Sequence, residues 1–372
     1  MSEPEASGAR MTRRRKLLFS SITLAIAVPL LGLAAEGVVR LRHRLKNGTF
    51  GRVYTYAVHE ESGLKIPKPG TVFGPIRINS LGFRGPEIEI PKPPGRIRIA
   101  FLGGSTTYSA ETSSEDATWP VRVRDLLAEA FPDVQFDIVN AGVGGFAVEH
   151  SHRNWTHRVR PLDPDVVVVY HATNDLCYDT RRIALERGLI EGKPDEESWL
   201  AEISLAWHLI EKNWQLYRRQ SAARGDAPHL DYEPGTVSLG FQERLSSLLH
   251  DVKQTVPVVA VATFSHKVRE EQTPNERLGA CETSLFYMPY LTPESILMAF
   301  DDYNRAIRRD AAEQDVLLIG GEDSIPGDGR HFKDSVHFSD EGSRRMAERV
   351  ARALADSPAL RALAQEKKQG GE

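Results

Sequence analysis

The chain has 372 residues, of which 41% are hydrophobic and 26% are charged, as in an ordinary soluble globular protein. This length can bury a large core, and the composition excludes a disordered, a collagen-like or a disulfide-scaffolded protein. The net charge of −4 is unevenly distributed, because residues 1–46 hold nine Lys or Arg against three Asp or Glu. The remaining residues therefore carry a net charge of −10, which argues against a nucleic-acid partner.

An uncharged segment of 19 residues, LLFSSITLAIAVPLLGLAA, extends from Leu17 to Ala35. As a helix it would be about 28 Å long, close to the hydrocarbon thickness of a bilayer. The basic run Arg13–Lys16 precedes it and favours a cytoplasmic N-terminus. We therefore expect a basic cytoplasmic tail at 1–16, a single-pass membrane anchor at 17–35, and a body outside the cytoplasm, in the periplasm or at the cell surface.

The nature of this segment leaves alternatives open. Leu33–Ala35 is a weak small-residue cleavage site, so a cleaved signal peptide is the main rival to an uncleaved anchor. A buried helix of a soluble protein fits less well, because the segment has no polar face. The orientation signal is also mixed, since further basic side chains follow the segment at Arg40, Arg42, Arg44 and Lys46.

Residues 36–95 form a predicted juxtamembrane segment rich in Gly and Pro. It has short β-like runs such as Thr71–Ile78, and it ends in INSLGFRGPEIEIPKPPG, from Ile78 to Gly95. Turn-forming residues dominate this sequence, so we predict a link of turns before a regular domain.

From Arg96 onward, short β-branched runs alternate with helical patterns. The predicted strands are Ile97–Leu102, Phe136–Val139, Val166–Tyr170, Val256–Ala262 and Val316–Ile319. The predicted helices are Trp119–Phe131, Val148–Val159, Phe241–Lys253, Pro293–Glu313 and Asp340–Leu354. This alternation predicts an α/β fold with a parallel sheet covered on both faces over residues 96–355, followed by a polar tail at 356–372.

One helical pattern, Glu196–Arg219, stands apart from this alternation. It carries Trp199, Trp207 and Trp214, which are three of the five Trp residues of the chain. An additional core helix explains the pattern, and so does a lid or a helix on a membrane surface.

Residue types suited to catalysis follow the predicted strands. Ser105 follows the first strand in GGSTT, Gly145 ends the NAGVGG sequence after the second, and Asn174 follows the third. Asp334 and His337 lie in a loop after the last strand. The carboxyl ends of parallel strands meet at one edge of the sheet, so these side chains are expected to gather there.

A serine hydroxyl needs an adjacent base that a third group orients. Ser105 is therefore a candidate nucleophile, His337 its base, and Asp334 the group that fixes the imidazole from one turn away. Backbone amides at tight turns and a side-chain amide can bind an oxyanion. The N–H groups of Ser105 and Gly145 and the amide of Asn174 are candidates for that role.

The order of these residues resembles the SGNH hydrolases, also called GDSL-type esterases or lipases. The motifs that carry the resemblance are FLGGSTTYS, NAGVGGFA, YHATNDL and DSVHFSDEG. It implies a flavodoxin-like three-layer fold with about five parallel strands and a catalytic triad of Ser105, His337 and Asp334. It also implies an ester-bearing substrate, such as an acylated glycan, a lipid or a small ester, with no metal and no organic cofactor. The upstream INSLGFRGPE resembles a segment found before the catalytic domain in membrane-anchored members.

The chain departs from the family pattern at two positions. Gly104 stands where the family usually has Asp before the nucleophile, and Ala172 stands where it has Gly before the Asn. Both changes retain the catalytic atoms and alter only the surrounding backbone.

The favoured hypothesis is a membrane-anchored serine esterase acting outside the cytoplasm. An O-acyltransferase acting on an envelope glycan would use the same triad, and a non-catalytic binding module is a third hypothesis. Cys177 and Cys281 could pair in an oxidising compartment, which the sequence leaves open. The loop Lys267–Pro293 is a candidate for acyl or sugar recognition, with plain surface packing as the alternative.

Overall fold

A parallel sheet organises the body of the protein in the computed structural model, which describes residues 13–47, 56–190, 198–223 and 228–370. By its internal contacts the chain forms two units. One unit combines the N-terminal helix with residues 198–215, and the other contains the sheet and its covering helices. Most of the predicted basic tail (residues 1–12) and the start of the predicted Trp-rich helix (residues 196–197) lie outside the described residues.

The strands of the described residues belong to three sheets. In chain order they are β1 (Tyr56–Val58), β2 (Lys65–Pro67), β3 (Val72–Phe73), β4 (Ile76–Arg77), β5 (Arg96–Gly103), β6 (Gln135–Asn140), β7 (Val166–Tyr170), β8 (Val258–Ala262) and β9 (Leu317–Ile319). The short strands β1–β2 and β3–β4 form two antiparallel pairs.

The remaining five strands, β5 to β9, form one parallel sheet in the order β6-β5-β7-β8-β9. Counted from its first strand this is the order 2-1-3-4-5, which is that of flavodoxin-like folds. All five residues of β7 and all five of β8 are buried, because both faces of the sheet are covered by helices. The predicted α/β fold with a five-stranded parallel sheet is confirmed.

The helices have the following bounds. They are α1 (Arg13–Asn47), α2 (Ser105–Tyr108), α3 (Trp119–Ala130), α4 (Val148–Asn154), α5 (Thr173–Glu186), α6 (Trp199–Ile203), α7 (Leu205–Ala223), α8 (Leu239–Lys253), α9 (Pro274–Ala280), α10 (Glu282–Tyr287), α11 (Pro293–Glu313), α12 (Asp340–Asp356) and α13 (Pro358–Gly370). Helix α3 packs against α12, and α12 against α13, while α8 packs against α4, α5 and α11. These two groups supply the covering layers of the sheet.

Helix α1 is longer than the predicted 19-residue span. It is continuous through Pro29, and its stretch from Arg13 to Leu45 is long and apolar enough to cross a membrane. Length and composition alone support this statement, and a signal sequence near the N-terminus would pass the same test.

Two segments differ from their predicted form. The predicted helix Val148–Val159 ends at Asn154 and continues as a π-helical turn, Trp155–Val159. The segment expected to be a polar tail forms α13, which buries Leu360 completely and places Lys367 Nζ 3.1 Å from Asp165. Cys177 and Cys281 do not form a disulfide with each other in the structure.

The Asp310 carboxyl on α11 is buried, and its interaction with the Gln242 side chain offsets only part of the effect of burial on its pKa. Burial raises its pKa to about 7, so the folded protein holds this proton more tightly than the unfolded chain does. Its contribution to stability is therefore fully present below about pH 4 and is lost as the pH rises through 7.

We expect Asp310→Asn to remove this pH dependence, because an amide does not ionise. Relative to wild type, the free energy of unfolding of the variant should rise by up to about 4 kcal/mol between pH 4 and pH 8. Denaturant unfolding of both proteins at several pH values measures the difference in their free energies of unfolding. The other titrating groups contribute equally to both proteins and cancel in this difference. A constant difference between the two proteins across this range would contradict the assignment.

Candidate active site

Ser105 begins helix α2 immediately after strand β5, and the turn leaves no room for side chains around it. A Cβ on Gly103 would lie 2.0 Å from Thr107 Oγ1, and one on Gly142 would lie 2.4 Å from the backbone nitrogen of Tyr108. Glycine at these positions allows β5, α2 and the loop after β6 to approach closely. Ser105 is thereby held at the carboxyl edge of the sheet.

Ser105, His337 and Asp334 form a continuous chain of hydrogen bonds. His337 Nε2 lies 2.8 Å from Ser105 Oγ, and His337 Nδ1 lies 2.7 Å from Asp334 Oδ2. The structure thus brings Ser105 together with an Asp-x-x-His pair whose histidine lies 232 positions further along the sequence. Two backbone N–H groups, of Val336 and His337, donate to Asp334 Oδ1 at 2.9 and 2.8 Å and fix the carboxylate.

The protonation state of this chain follows from the Asp334 carboxyl. Burial alone would raise its pKa, but the hydrogen bonds from His337 and from the backbone outweigh burial and lower it. An ionised carboxylate only accepts hydrogen bonds, so His337 Nδ1 must carry the proton at neutral pH. The other ring nitrogen, Nε2, is then free to accept the hydrogen bond of the Ser105 hydroxyl.

A second Asp-x-x-His turn, Asp328–His331, precedes the first by six residues. Its His331 Nδ1 also lies 2.7 Å from the Asp328 carboxylate, which likewise accepts backbone N–H groups. This local bond therefore follows from the spacing alone, and only His337 continues it to Ser105. This pair was not among the predicted site residues, although its Asp-x-x-His spacing is visible in the sequence and identical to that of Asp334 and His337.

Three residues with candidate N–H donors, Ser105, Gly145 and Asn174, line the same cavity. Within the described part of the chain the backbone N–H groups of Ser105 and Gly145 have no acceptor. For Ser105 this is expected, because the first N–H groups of a helix have no acceptor within the helix. Gly145 adopts a positive φ of 83°, which favours glycine there. Asn174 Nδ2 donates one hydrogen to the Phe146 carbonyl at 2.9 Å, and its second hydrogen is available for a substrate oxygen.

Asp175, next to Asn174, supports the loop that carries Phe146. Its buried carboxylate accepts the Val148 N–H at 3.1 Å and contacts Arg244 at 3.3 Å. Burial raises the pKa of Asp175 to about 7, and burial lowers the pKa of the neighbouring His171 to about 3. Asp175 therefore holds the backbone of Val148, while His171 Nε2 lies 2.8 Å from the Ser151 hydroxyl.

A cavity of about 320 Å³ opens at the Ser105–His337 pair. One side is formed by the turns that carry Gly145 and Asn174, and the other by residues 283–288 around α10. The loop predicted for substrate recognition, Lys267–Pro293, therefore supplies one wall of the cavity. Its Tyr290 instead packs in the core, where its hydroxyl contacts Thr180 at 3.2 Å.

Arg84, from the upstream INSLGFRG sequence, supports the helix that begins with Ser105. Its fully buried guanidinium donates to the carbonyl oxygens of Tyr108 and Ser109 at 2.7 and 2.5 Å and to Glu115 at 3.0 Å. These carbonyls close the four-residue helix α2, where Ser109 turns into a left-handed conformation with φ of 59°. Arg84 thus satisfies the end of α2 that has no intrahelical donor.

The departure at Gly104 has a direct structural consequence. A Cβ at this position would lie 2.6 Å from Asn174 Nδ2 and 3.1 Å from the Phe146 carbonyl oxygen. The Asn174 amide and its acceptor thus occupy the space that a side chain at position 104 would need.

We expect Gly104→Ala to lower kcat by about 10- to 100-fold, because the new methyl group displaces the Asn174 amide, which is a candidate oxyanion donor. Loss of one such donor typically lowers kcat by about 10²–10³. Ester hydrolysis by the single variants and by the Gly104→Ala/Asn174→Ala double variant measures the coupling. In the Asn174→Ala background the Gly104 change should have little further effect. Fully additive losses would show that Gly104 acts elsewhere.

A protein-family model matches most of the chain. The family model described as GDSL-like lipase/acylhydrolase matches residues 101–345, which include all the residues of the hydrogen-bonded chain. The chain belongs to this family, the SGNH or GDSL-type acylhydrolases, and is an esterase-type hydrolase. A comparison with curated proteins gives no match.

Solved structures resemble the chain at low sequence identity. A variant of the acetyl-xylooligosaccharide esterase Axe2 from Geobacillus stearothermophilus is 17% identical, with 71% of this chain and 96% of that chain covered and a TM-score of 0.44. The unmodified acetylxylan esterase Axe2 is 16% identical, with 72% and 97% covered and a TM-score of 0.43. LAE5, an alpha/beta hydrolase enzyme from the metagenome of Lake Arreo, Spain, is 15% identical, with 69% and 94% covered and a TM-score of 0.42.

Proposed function

We propose that the protein is a membrane-anchored serine esterase that cleaves carboxylic esters outside the cytoplasm. Ser105, His337 and Asp334 are its catalytic triad, and Ser105 N–H, Gly145 N–H and Asn174 Nδ2 form its oxyanion hole. The observation that carries the proposal is the 2.8 Å contact from His337 Nε2 to Ser105 Oγ, with the Asp334 carboxylate on the opposite ring nitrogen.

In the acylation step, Ser105 Oγ attacks the ester carbonyl carbon while His337 Nε2 takes the hydroxyl proton. The resulting imidazolium is stabilised by the ionised Asp334. The carbonyl oxygen becomes an oxyanion, which the three N–H donors stabilise more strongly than the neutral carbonyl. When the carbon–oxygen bond to the leaving alcohol breaks, His337 returns its proton to the alcohol oxygen.

Water completes the cycle by the same route. His337 takes a proton from water, whose oxygen attacks the carbonyl carbon of the acyl-Ser105 ester. The second tetrahedral oxyanion collapses, the carboxylic acid leaves, and Ser105 Oγ recovers its proton. Every proton in this sequence moves through His337 Nε2.

The proposed arrangement in the cell follows from the apolar segment at the N-terminus. Residues 1–16 form the cytoplasmic tail, and residues 17–35 form the anchor. Residues 36–95 are the juxtamembrane segment, residues 96–355 are the catalytic domain, and residues 356–372 are the C-terminal tail. The length and hydropathy of α1 support an anchor or a signal sequence. The mass of the mature chain shows whether the N-terminal segment is cleaved. A C-terminal fusion to alkaline phosphatase, which is active only outside the cytoplasm, reports the orientation.

The activity is tested with the full chain in detergent. It should hydrolyse a short aryl ester, and a serine-directed phosphonate should inhibit it with a single adduct at Ser105, located by peptide mass spectrometry. Label at another serine, or no hydrolysis together with no label, would overturn the proposal. Adding an acylated glycan and a sugar acceptor separates hydrolysis from acyl transfer, because only transfer yields an acylated acceptor.

A further inference from the structure

Helix α7 is capped by a side chain from helix α1. The Glu36 carboxylate accepts hydrogen bonds from Ser204 Oγ at 2.8 Å and from the backbone N–H groups of Leu205 and Ala206 at 3.0 and 2.9 Å. These groups lie at the start of α7, where N–H donors have no acceptor within the helix. Arg40, one turn further along α1, donates to the Ile203 carbonyl at 3.1 Å. The start of α7 is thus fixed to α1 at a defined level.

That level coincides with the end of the apolar segment. Glu36 is the first charged residue after the uncharged residues 17–35. A helix of that length matches the hydrocarbon layer of a bilayer, so a spanning α1 would place Glu36 at the boundary with the headgroups. The contacts of Glu36 then hold the first turn of α7 at the same boundary.

The residues around this contact expose large apolar side chains. Trp207, Ile210 and Trp214 follow the i, i+3, i+7 spacing of one helix face, and Trp199 and Ile203 belong to the adjoining α6. We call these five residues the aromatic face, and their exposed fractions run from 42% for Trp207 to 68% for Trp199. Even so, the indole N–H of Trp207 has a partner, since it lies 3.1 Å from Ser198 Oγ.

We propose that the aromatic face lies in the interfacial layer of the same membrane that α1 spans. Tryptophan concentrates in this layer, where its ring contacts acyl chains and its N–H stays near polar groups. Each of the two helices also carries an exposed basic side chain, Arg42 on α1 and Lys212 on α7, and basic side chains near a membrane attract anionic headgroups. Residues 198–215 are therefore a second membrane attachment, and this inference rests on the proposed anchor.

Tryptophan fluorescence reads this attachment selectively. Helix α1 contains no Trp, and the two remaining Trp residues, Trp119 and Trp155, are fully buried in the other unit. Lipids brominated on their acyl chains quench Trp only at close range, so quenching in the full chain reports the aromatic face alone.

The test uses the full chain in nanodiscs of phosphatidylcholine and phosphatidylglycerol, with plain or brominated lipid. We expect emission to fall by about one third or more in brominated discs, and bromine near the headgroup to quench more than bromine near the chain end. Trp199→Phe/Trp207→Phe/Trp214→Phe should abolish the difference while the ester-hydrolysis rate stays unchanged. Trp207→Glu/Ile210→Glu should weaken quenching of the remaining Trp199 and Trp214.

Two failures are distinguishable. Equal emission in plain and brominated discs, with the chain comigrating with the discs, would overturn the interfacial position and leave the anchor intact. A chain absent from the disc fraction would overturn the anchor and this inference with it. Neither result bears on the triad, which the aryl-ester assay reads separately.

Discussion

Ser105→Ala should reduce kcat/KM for an aryl ester by about 10⁴-fold or more, because the variant lacks the hydroxyl that lies 2.8 Å from His337 Nε2 and would form the acyl-enzyme. The variant should keep its fold and its affinity for substrate, since among the described residues the Ser105 hydroxyl hydrogen-bonds only to the His337 imidazole. Steady-state kinetics measure the loss of activity, and the stoichiometry of phosphonate labelling measures the loss of the reactive serine.

A matched control for this variant is Ser284→Ala. Ser284 lines the same cavity, but its hydroxyl is not part of the hydrogen-bonded chain to Asp334. We expect its removal to change kcat/KM by less than about 10-fold, the scale of a single binding contact. Equal activity of Ser105→Ala and wild type would show that Ser105 is not the nucleophile.

Asp334→Asn should lower kcat by about 10⁴-fold, the magnitude of the corresponding change in a well-studied serine-protease triad. The amide can keep the Oδ1 contacts to the backbone of Val336 and His337. Its NH₂ group, however, donates toward Nδ1 and so favours the imidazole tautomer that carries its proton on Nε2. That tautomer cannot accept the Ser105 proton, and KM should change little.

The second Asp-x-x-His turn provides the control for this prediction. Asp328→Asn makes the same chemical change beside His331, with the same 2.7 Å geometry and no link to Ser105. We expect kcat to stay within about 10-fold of wild type, as for a change that affects only local structure. Comparable losses in the two variants would mean that the whole loop, and not Asp334, determines activity.

The sheet could be predicted from the sequence because its strands are short apolar runs that both faces bury. The β-branched run Val166–Tyr170 has the same bounds in the structure, and all five of its side chains are buried. Helix α13 was missed, since the charged residues of its second half obscured the spacing of the buried Leu360, Leu363 and Ala364. An apolar pattern of that spacing is a usable signal for a packed helix.

The gathering of the site residues could also be predicted, since each follows a strand of one parallel sheet. The choice between the two Asp-x-x-His turns depends on which loop reaches Ser105, a distance that spacing does not encode. The contact of Gly104 with Asn174, and of Arg84 with Tyr108 and Ser109, joins segments far apart in the chain. Periodicity and local propensity carry no information on such contacts.

The position of Arg84 bears on how this enzyme can be recombined with other proteins. The residue lies upstream of the stretch that matches the family, yet its guanidinium holds the backbone behind the nucleophile. A chimera that joined β5 to a foreign anchor would remove Arg84 from both carbonyls. Thr112 would still donate to the Ser109 carbonyl, but among the described residues the buried Tyr108 carbonyl would lose its donor. The smallest segment that can be transferred with its activity therefore includes the INSLGFRG sequence as well as the sheet. We expect a natural fusion that preserves activity to contain both.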